Sequence, residues 1–380
     1  MSVQPNLPAT FKKLVLHRLS NDFKKSTRVE IGKTQELVDL LKVNPSWIVL
    51  RNLYAGVNAS DVAYSNGRYN PGRKPPYECG LEGIGEVVAI GAQVADLKLG
   101  DVVAATGNTG GWYSEFRVLP ARIAQKIPGN IRDPRYLALR ISGLTSSFAL
   151  EKTSRMKILA GSILSKYVDP ALVGSPADKK PLNVLVTAAA GGAGMFAVQL
   201  AKLAGHRVAG TISSPEKAAV LKSMGVDVPV NYKTDDVRKV FKREFPKGFD
   251  IVYESVGGDL LQAALENLAI GGHIVLIGSI SDYLATEQKD GTNRPDEFGG
   301  IKPSMLSAKS ASLGYFYLPH FTSEYRIHLE RLTRLMNDGH LKVPVDNGPN
   351  LQGVDNVQKA VDFLHSGKSI GKVYIPIAKL

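Results

Sequence analysis

Residues 183–202, NVLVTAAAGGAGMFAVQLAK, constrain the fold more than any other part of the chain. An apolar run with β-branched residues leads into a turn of small residues and then into a helical pattern. This is the order of first strand, phosphate loop and first helix in a dinucleotide-binding βαβ unit. Gly191 and Gly194 allow a sharp turn and the approach of a pyrophosphate to the helix N-terminus, where the helix dipole favours anions. Ala188 stands where the usual fingerprint has its first glycine. The predicted dinucleotide-binding residues are Ala188, Gly191, Gly192, Ala193 and Gly194.

The segments on either side of this stretch differ in pattern. Residues 11–135 are rich in strand-like runs separated by Gly, Pro and Asn, which predicts a compact β-domain. Beyond residue 202 strands alternate with helices, which predicts a parallel, doubly wound α/β sheet of about six strands. We therefore predict a first domain over residues 1–138, completed by residues 320–380, and a nucleotide domain over residues 139–319. Residues 158–180 lack clear periodicity and are predicted to form an inserted surface loop, whereas residues 282–302 are polar and rich in Gly, Pro and Asn and are predicted to be a mobile loop.

Composition excludes several classes of protein. A chain of 380 residues, 44% hydrophobic and 22% charged, is ordinary for a globular protein with a large core. Its one cysteine, Cys79, excludes intramolecular disulfides and a cysteine-based structural zinc site. No apolar run approaches the roughly 20 residues of a membrane span, and the N-terminus lacks the apolar core of a secretion signal, so we expect a soluble protein. The net charge of +12 is interspersed with acids, which favours anionic small ligands over nucleic acid.

Four further motifs occur in order along the chain: NASD at 58–61, GRYNPGRKPP at 67–76, GLEGIGEVVAIG at 80–91 and VYESVGG at 252–258. With the loop at 183–202, they resemble the medium-chain dehydrogenase/reductase superfamily. Within it the sequence resembles the zinc-free quinone oxidoreductase and enone reductase branch, and the prostaglandin reductases in particular. The resemblance implies a GroES-like first domain, a Rossmann nucleotide domain and reduction of the carbon-carbon double bond of α,β-unsaturated ketones, such as 15-keto-prostaglandin-like lipid enones. Quinone reduction and a cofactor-binding protein with vestigial activity are the alternatives.

The zinc ligands of the related alcohol dehydrogenases are missing. In those enzymes a Cys begins the motif matching NASD, and a Gly-His-Glu matches Gly80-Leu81-Glu82; here the ligand positions hold Asn58 and Leu81. Leu81 cannot bind metal, and Asn58 is a poor ligand for zinc, which prefers thiolate, imidazole and carboxylate. We predict no metal site, and therefore double-bond reduction rather than zinc-assisted alcohol oxidation.

The end of the second nucleotide strand, GTISS at 210–214, carries no acid to accept ribose hydroxyls, as sites that prefer NAD usually do. Lys217 follows and offers a charge-assisted contact to a ribose phosphate. The resemblance places the 2′-phosphate pocket at Ser213, Lys217 and Tyr232, so NADPH is the implied cofactor. It also places four residues along the nicotinamide and its ribose: Val256, Gly257, Gly278 and Ser279.

Reduction of an enone builds negative charge on its carbonyl oxygen, which calls for a preorganised donor. The resemblance assigns Tyr69 as a proton donor in the cleft and places Asn58 beside the nicotinamide, where its amide orients cofactor or substrate. A phenol suits this role because it can donate a hydrogen bond to an enolate or supply the α-proton. Less favoured donors are Tyr64, Tyr253, Tyr315 and the ribose hydroxyl of the cofactor.

Two expectations concern location and assembly. Ala378-Lys379-Leu380 is close to the S-K-L peroxisomal address, which an import receptor reads, so we expect a peroxisomal protein, with the cytosol as the alternative. The related enzymes are often homodimers, and the resemblance implies the same assembly here.

Overall fold

The structure is a computed structural model that describes residues 1–4, 6–69, 72–107, 110–177, 180–283 and 301–378. The chain forms two compact units. Unit 1 comprises Met1–Arg140 and Val345–Leu380, and unit 2 comprises Ile141–Pro344.

The strands of both units are short to medium in length and are numbered in chain order. They are β1 Ser2–Val3, β2 Thr10–Leu16, β3 Thr27–Lys33, β4 Trp47–Gly56, β5 Tyr77–Glu78, β6 Glu82–Ile90, β7 Val102–Thr106, β8 Phe116–Pro120, β9 Gln125–Lys126, β10 Asn183–Val186, β11 Arg207–Ile212, β12 Val228–Asn231, β13 Phe249–Glu254, β14 Leu268–Leu276, β15 Ser312–Tyr315, β16 Val345–Asp346 and β17 Lys372–Pro376.

The α-helices are numbered in the same way. They are α1 Phe23–Ser26, α2 Thr34–Val43, α3 Ser60–Ser65, α4 Arg135–Ala138, α5 Thr145–Phe148, α6 Gly192–Leu203, α7 Pro215–Ser223, α8 Val237–Glu244, α9 Gly258–Glu266, α10 Ile280–Tyr283, α11 Pro303–Ser307, α12 Tyr325–Asn337 and α13 Val357–His365. Two π-helical segments, Leu139–Leu144 and Ala149–Thr153, flank α5.

Unit 1 is built on antiparallel strands. Its larger sheet has eight strands, with the central order β16-β17-β4-β6-β7-β9, and β2, β3 and β5 form a second sheet. Strand β6 is buried along its whole length. The late strand β17 pairs antiparallel with β4, with Ile375 opposite Ala55. Strand β17 follows β4 by more than three hundred residues in the sequence, yet it lies beside β4, the strand that leads to Asn58.

Unit 2 contains the doubly wound sheet. Its six strands are all parallel, in the order β12-β11-β10-β13-β14-β15, so the predicted α/β class is confirmed. The direction of winding reverses between β10 and β13. In such sheets ligands bind at the carboxyl ends of the strands beside this switch point.

Residues 320–344 belong to unit 2, and not to the first domain as predicted. The buried face of α12 carries His328 and Arg331, which contact the helical segment before β10. The Nδ1 atom of His328 lies 2.7 Å from Ser147 Oγ, and Arg331 Nη1 donates to Glu151 Oε2 at 2.6 Å. The buried residues of α12 lie on one face of the helix, and an amphipathic pattern of this kind does not specify which unit covers that face.

The structure describes nearly all of one predicted loop and only a small part of the other. Residues 158–180 contain the 3-10 turns Leu164–Lys166 and Pro170–Leu172, with an isolated bridge between Ile158 and Val173. Most of the loop predicted at 282–302 lies outside the described residues. Within the described ranges, the protein has no helix with both the length and the apolar character that a membrane span requires.

Candidate functional site

The turn between β10 and α6 brings the predicted phosphate-binding residues to the switch point. Gly191 is the N-cap of α6 and offers no side-chain cap. The first amides of a helix have no partner within it, so those of Gly192, Ala193 and Gly194 form the kind of N-terminus that binds anions.

Within this turn only one of the two predicted glycines is sterically required. A Cβ atom at Gly194 would lie 2.3 Å from the carbonyl oxygen of Ala188, whereas at Gly191 the nearest atom is 3.2 Å away. Gly191 also has an ordinary φ of −82°, and it is Ala188 that takes a left-handed φ of 45°. The sharp turn therefore occurs at Ala188, and Gly194 is needed because α6 packs closely against that turn.

The three residues predicted to hold a ribose phosphate lie at the carboxyl ends of β11 and β12. Ser213 directly follows β11, and Lys217 is in the first turn of α7 with a side chain that is 9% exposed. Tyr232 directly follows β12, is 42% exposed, and donates its N–H to the carbonyl of Ile212 at 3.1 Å. The side chain of Ser214 caps α7 by accepting from the N–H of Lys217. The structure thus places all three at one sheet edge.

The residues predicted along the nicotinamide lie on the other side of the switch point. Val256 and Gly257 follow β13, and Gly278 and Ser279 follow β14. Gly257 has a φ of 83°, and a Cβ there would lie 2.5 Å from Ser279 Oγ, so the two loops are in contact. We use the name nucleotide edge for the twelve residues that the sequence predicts around the cofactor at the carboxyl ends of β10 to β14.

Glu254 is a further residue of this region that the sequence did not identify. Its side chain is fully buried at the end of β13, and one oxygen, Oε1, accepts the N–H groups of Val256 and Gly257, each at 2.6 Å. The other oxygen has no hydrogen-bond partner within the described part of the chain. Burial raises the pKa of Glu254 to about 7, against the lowering effect of those N–H groups. The available signal was an acid at the carboxyl end of the strand FDIVYE, directly after the apolar residues Ile251 and Val252 and the buried Tyr253.

The candidate catalytic residues of unit 1 flank α3. Asn58 precedes the helix and is 7% exposed. Tyr69 follows it, is half-buried, and donates its N–H to the carbonyl of Ala63 at 3.4 Å. The helix thus carries one candidate at each end.

Asn58 is held in a buried ionic network. Its Oδ1 accepts a hydrogen bond from Lys372 Nζ at 2.6 Å, and its Nδ2 donates to Glu82 Oε1 at 3.1 Å. Lys372 and Glu82 also form an ion pair at 2.5 Å, with side chains only 2% and 0% exposed. The oxygen of the Asn58 carboxamide is therefore already bound to Lys372.

Asp61 fixes the backbone at the same place. Its Oδ2 accepts the N–H of Asn58 at 2.8 Å and the hydroxyl of Tyr113 at 2.6 Å. Burial raises the pKa of Asp61 to about 6, although both hydrogen bonds favour the charged form. We use the name Asn58 cluster for this set of five residues: Asn58, Asp61, Glu82, Tyr113 and Lys372.

The three less favoured tyrosines occupy different environments. Tyr64 is buried, and its hydroxyl accepts from Arg73 Nη1 at 2.6 Å. Tyr253 is fully buried, with its hydroxyl 3.0 Å from Ser146 Oγ. Tyr315 is 56% exposed on β15. The hydroxyls of Tyr64 and Tyr253 thus have structural hydrogen bonds.

The donor set at the predicted zinc-ligand positions does not fit zinc. Leu81 is buried and apolar, and the Asn58 oxygen is bound to the ammonium of Lys372. Burial raises the pKa of the Cys79 thiol, which disfavours the thiolate that zinc requires. Among the residues that the structure describes, no group of three or more His, Cys, Asp or Glu side chains could hold a metal ion.

Comparison with known proteins places this arrangement in a family. Residues 44–129 match the family model of the alcohol dehydrogenase GroES-like domain, and residues 192–313 match that of the zinc-binding dehydrogenases. Prostaglandin reductase-3 of Mus musculus is 39% identical, over 98% of this chain and 90% of its own length. The chain belongs to the medium-chain dehydrogenase/reductase superfamily.

Other members of the superfamily are similar over the full length. A probable quinone oxidoreductase of Leishmania amazonensis is 38% identical, over 97% of this chain and 99% of its own. The structure of the Escherichia coli quinone oxidoreductase complexed with NADPH shares the fold, with a TM-score of 0.75 and 23% identity over 96% of this chain and 99% of its own. The predicted superfamily is confirmed, including the likeness to the prostaglandin reductases and quinone oxidoreductases.

Proposed function

We propose that this chain is an NADPH-dependent oxidoreductase that reduces the carbon-carbon double bond of α,β-unsaturated ketones, with 15-keto-prostaglandin-like lipid enones as the substrate class. The observation that carries the proposal is the similarity to mouse Prostaglandin reductase-3 along nearly the whole chain. The chemistry of the site supports it, because enone reduction needs a hydride and hydrogen-bond donors but no metal.

The choice of NADPH over NADH is supported by the residues at the ends of β11 and β12. The end of β11 and the residues after it, GTISS at 210–214, carry no acid to accept ribose hydroxyls, and Lys217 carries an ammonium group that can make a charge-assisted contact to a phosphate. Replacing Lys217 by Ala should raise the Kd for NADPH at least about tenfold, since a charge-assisted contact contributes about 1.5–3 kcal/mol. The Kd for NADH should change less than twofold. The control is Lys222→Ala, an exposed lysine later in the same helix. Equal losses for both cofactors would place the phosphate site elsewhere.

When bound, the cofactor supplies a hydride to the β-carbon of the enone. The protein then has to stabilise negative charge on the carbonyl oxygen and deliver a proton to the α-carbon. We assign proton donation to the hydroxyl of Tyr69 and hydrogen bonding near the reacting groups to Asn58. Both groups donate from their neutral forms, and the phenolate that the transfer leaves on Tyr69 regains a proton from water before the next turnover.

The reaction is proposed to be independent of zinc, although one matching family model is named for zinc-binding dehydrogenases. The support is the donor set, with Asn58 bound to Lys372 and an apolar Leu81. Dialysis against a chelator should leave enone reduction unchanged. Activity that is lost and then restored by zinc would contradict the proposal.

Quinone reduction is the second candidate, because the Leishmania relative carries that name at nearly the same identity. The two are separated by measuring NADPH oxidation with enones and quinones in parallel. A kcat/KM at least about tenfold higher for enones supports the first proposal, and the reverse ratio supports the second.

Two further proposals concern the oligomeric state of the protein and its location in the cell. We propose a homodimer, supported by β15, which ends the order of the described sheet and carries the exposed Tyr315. Sedimentation velocity tests this by giving twice the chain mass or the mass of one chain. We also propose peroxisomal import through Ala378-Lys379-Leu380, whose last two residues lie outside the described part. A fluorescent protein with or without this C-terminal tripeptide would show whether it directs import.

A further inference from the structure

Lys372 has no role in the chemistry proposed so far, yet its ammonium is one of the most deeply buried cations in unit 1. It opens β17 and is 2% exposed. Its hydrogen-bond partners are Glu82 Oε1 at 2.5 Å and Asn58 Oδ1 at 2.6 Å. Burial of an ammonium is costly unless it is paired, and the carboxylate of Glu82 supplies the opposite charge. The amide of Asn58 is a third member that charge balance alone does not require.

The two charged groups allow only one orientation of the Asn58 carboxamide. In the structure, Oδ1 faces the ammonium of Lys372 and Nδ2 faces the carboxylate of Glu82, so each contact joins a hydrogen-bond donor to an acceptor. A flip of the amide would place the NH₂ group against an ammonium and the carbonyl oxygen against a carboxylate. Both contacts would then be repulsive, in a buried region where electrostatic interactions are strong.

This orientation decides what Asn58 offers to other molecules. The Nδ2 group has two hydrogens. One is directed to Glu82, and the other has only a marginal contact with the carbonyl of Gly56 at 3.5 Å. The hydrogen-bonding capacity that Asn58 retains toward a reactant is therefore largely that of a donor.

The geometry points to Lys372 as a positioning residue: with Glu82 it locks the carboxamide of Asn58 so that Asn58 acts as a hydrogen-bond donor toward the reacting groups. This inference rests on the proposed function. An enolate oxygen and the carboxamide oxygen of a nicotinamide are both hydrogen-bond acceptors, so each requires a donor. The backbone hydrogen bond from Asn58 to Asp61 fixes the same residue from its main chain.

The test replaces the charged pair by a neutral one, Lys372→Met with Glu82→Gln. A glutamine at 82 can both donate and accept, so either orientation of the Asn58 amide is then satisfied. The matched control is Lys12→Met with Asp355→Asn, which removes an ion pair of the same length in the same unit but with side chains 44% and 57% exposed. Both double variants are made in the wild-type chain and in an Asn58→Ala chain.

If Lys372 acts through Asn58, the loss appears only where Asn58 is present. In the wild-type chain, kcat for an enone should fall about tenfold or more, while the KM for NADPH changes less than twofold. In the Asn58→Ala chain the same replacement should change kcat less than twofold. The control pair should change kcat less than twofold in both chains. An equal loss in both chains, or no loss in the wild-type chain, would overturn the inference.

A second readout does not depend on turnover. In a chain labelled with ¹⁵N-asparagine, the side-chain amide signal of Asn58 is identified by its absence from the Asn58→Ala variant. Its hydrogen exchange should be at least about tenfold faster after the Lys372 and Glu82 replacement, because the amide is no longer held. Unchanged exchange would refute the locking of Asn58. If the wild-type chain reduces no enone but exchange accelerates as expected, the proposed function fails while Lys372 remains the residue that orients Asn58.

Discussion

Glu82 in unit 1 and Glu254 in unit 2 are both fully buried beside candidate site residues, but the chain compensates them differently. Glu82 is paired with the ammonium of Lys372 at 2.5 Å. Glu254 accepts two backbone N–H groups at 2.6 Å each, and its pKa is raised to about 7. The buried charge of Glu82 is therefore compensated by a side-chain cation, whereas Glu254 is compensated by backbone N–H groups.

This difference has consequences for what each region tolerates. A cluster held by charge depends on the presence of both partners, because removing one leaves the other charged and buried. A region held by backbone depends on φ angles and close approaches, and it tolerates changes of side-chain charge better. Four substitutions test this distinction, and their expected effects decrease in the order Lys372→Met, Glu254→Gln, Gly194→Ala and Tyr69→Phe.

The largest effect is expected when Lys372 alone is replaced by Met. Glu82 then stays buried without its cation, and breaking a buried pair in this way costs about 3–5 kcal/mol. The loss is measured as the free energy of unfolding of unit 1. Chemical denaturation is monitored by the hydrogen exchange of backbone amides in β4 and β6. Adding Glu82→Gln should recover most of it. A single variant within about 1 kcal/mol of wild type would show that the pair is not held by charge.

Glu254→Gln should change how the free energy of unfolding of unit 2 depends on pH. The folded pKa of about 7 lies above the ordinary value of 4.5, so folding binds this proton more tightly. The resulting stability is fully present below pH 4.5 and is lost as the pH rises to 7, at most about 3 kcal/mol. The variant should lack this loss.

Thermal unfolding at pH 5 and pH 8 measures the effect of that variant. The titration of Asp61, whose pKa is about 6, also lowers stability with rising pH, but it is common to both proteins and cancels in their difference. Identical pH dependence in the two proteins would mean that Glu254 is ionised in the fold at no cost.

Gly194→Ala tests the backbone side of the comparison. The added Cβ would lie 2.3 Å from the Ala188 oxygen, so α6 or the turn has to shift, at about 1–3 kcal/mol. The Kd for NADPH should rise at least about tenfold because the amides at the helix N-terminus move. Gly191→Ala is the matched control, with its nearest contact at 3.2 Å and an ordinary φ, and should cost less than about 1 kcal/mol. Equal effects at both positions would contradict this account of the turn.

Tyr69→Phe is expected to have the smallest effect. It removes one hydroxyl from a half-buried tyrosine and leaves the ring in place. We expect kcat for an enone to fall about tenfold, corresponding to about 1.4 kcal/mol, with little change in the free energy of unfolding. An unchanged kcat would transfer proton donation to the ribose hydroxyl of the cofactor.

The same comparison explains what the sequence could predict. The loop before α6 was predictable because its glycines, strand and helix lie within twenty residues and follow a local pattern. The role of Lys372 was not predictable, because its partner Asn58 lies 314 residues away and only the pairing of β17 with β4 brings the two residues together. Residues 320–344 were misassigned for a related reason, since an amphipathic helix does not specify its partner. The roles of Asn58 and Tyr69 came from resemblance and stay predictions.

Enone reduction with NADPH is tested most sharply by following the hydride itself. The protein is incubated with NADPH deuterated on the transferred position of C4 and with a 15-keto-prostaglandin or a shorter aliphatic enone, and the product is analysed by NMR and mass spectrometry. We predict a saturated ketone with one deuterium at the β-carbon for each NADPH oxidised. An allylic alcohol with deuterium at the carbonyl carbon, or binding of NADPH without oxidation by any enone, would contradict the account.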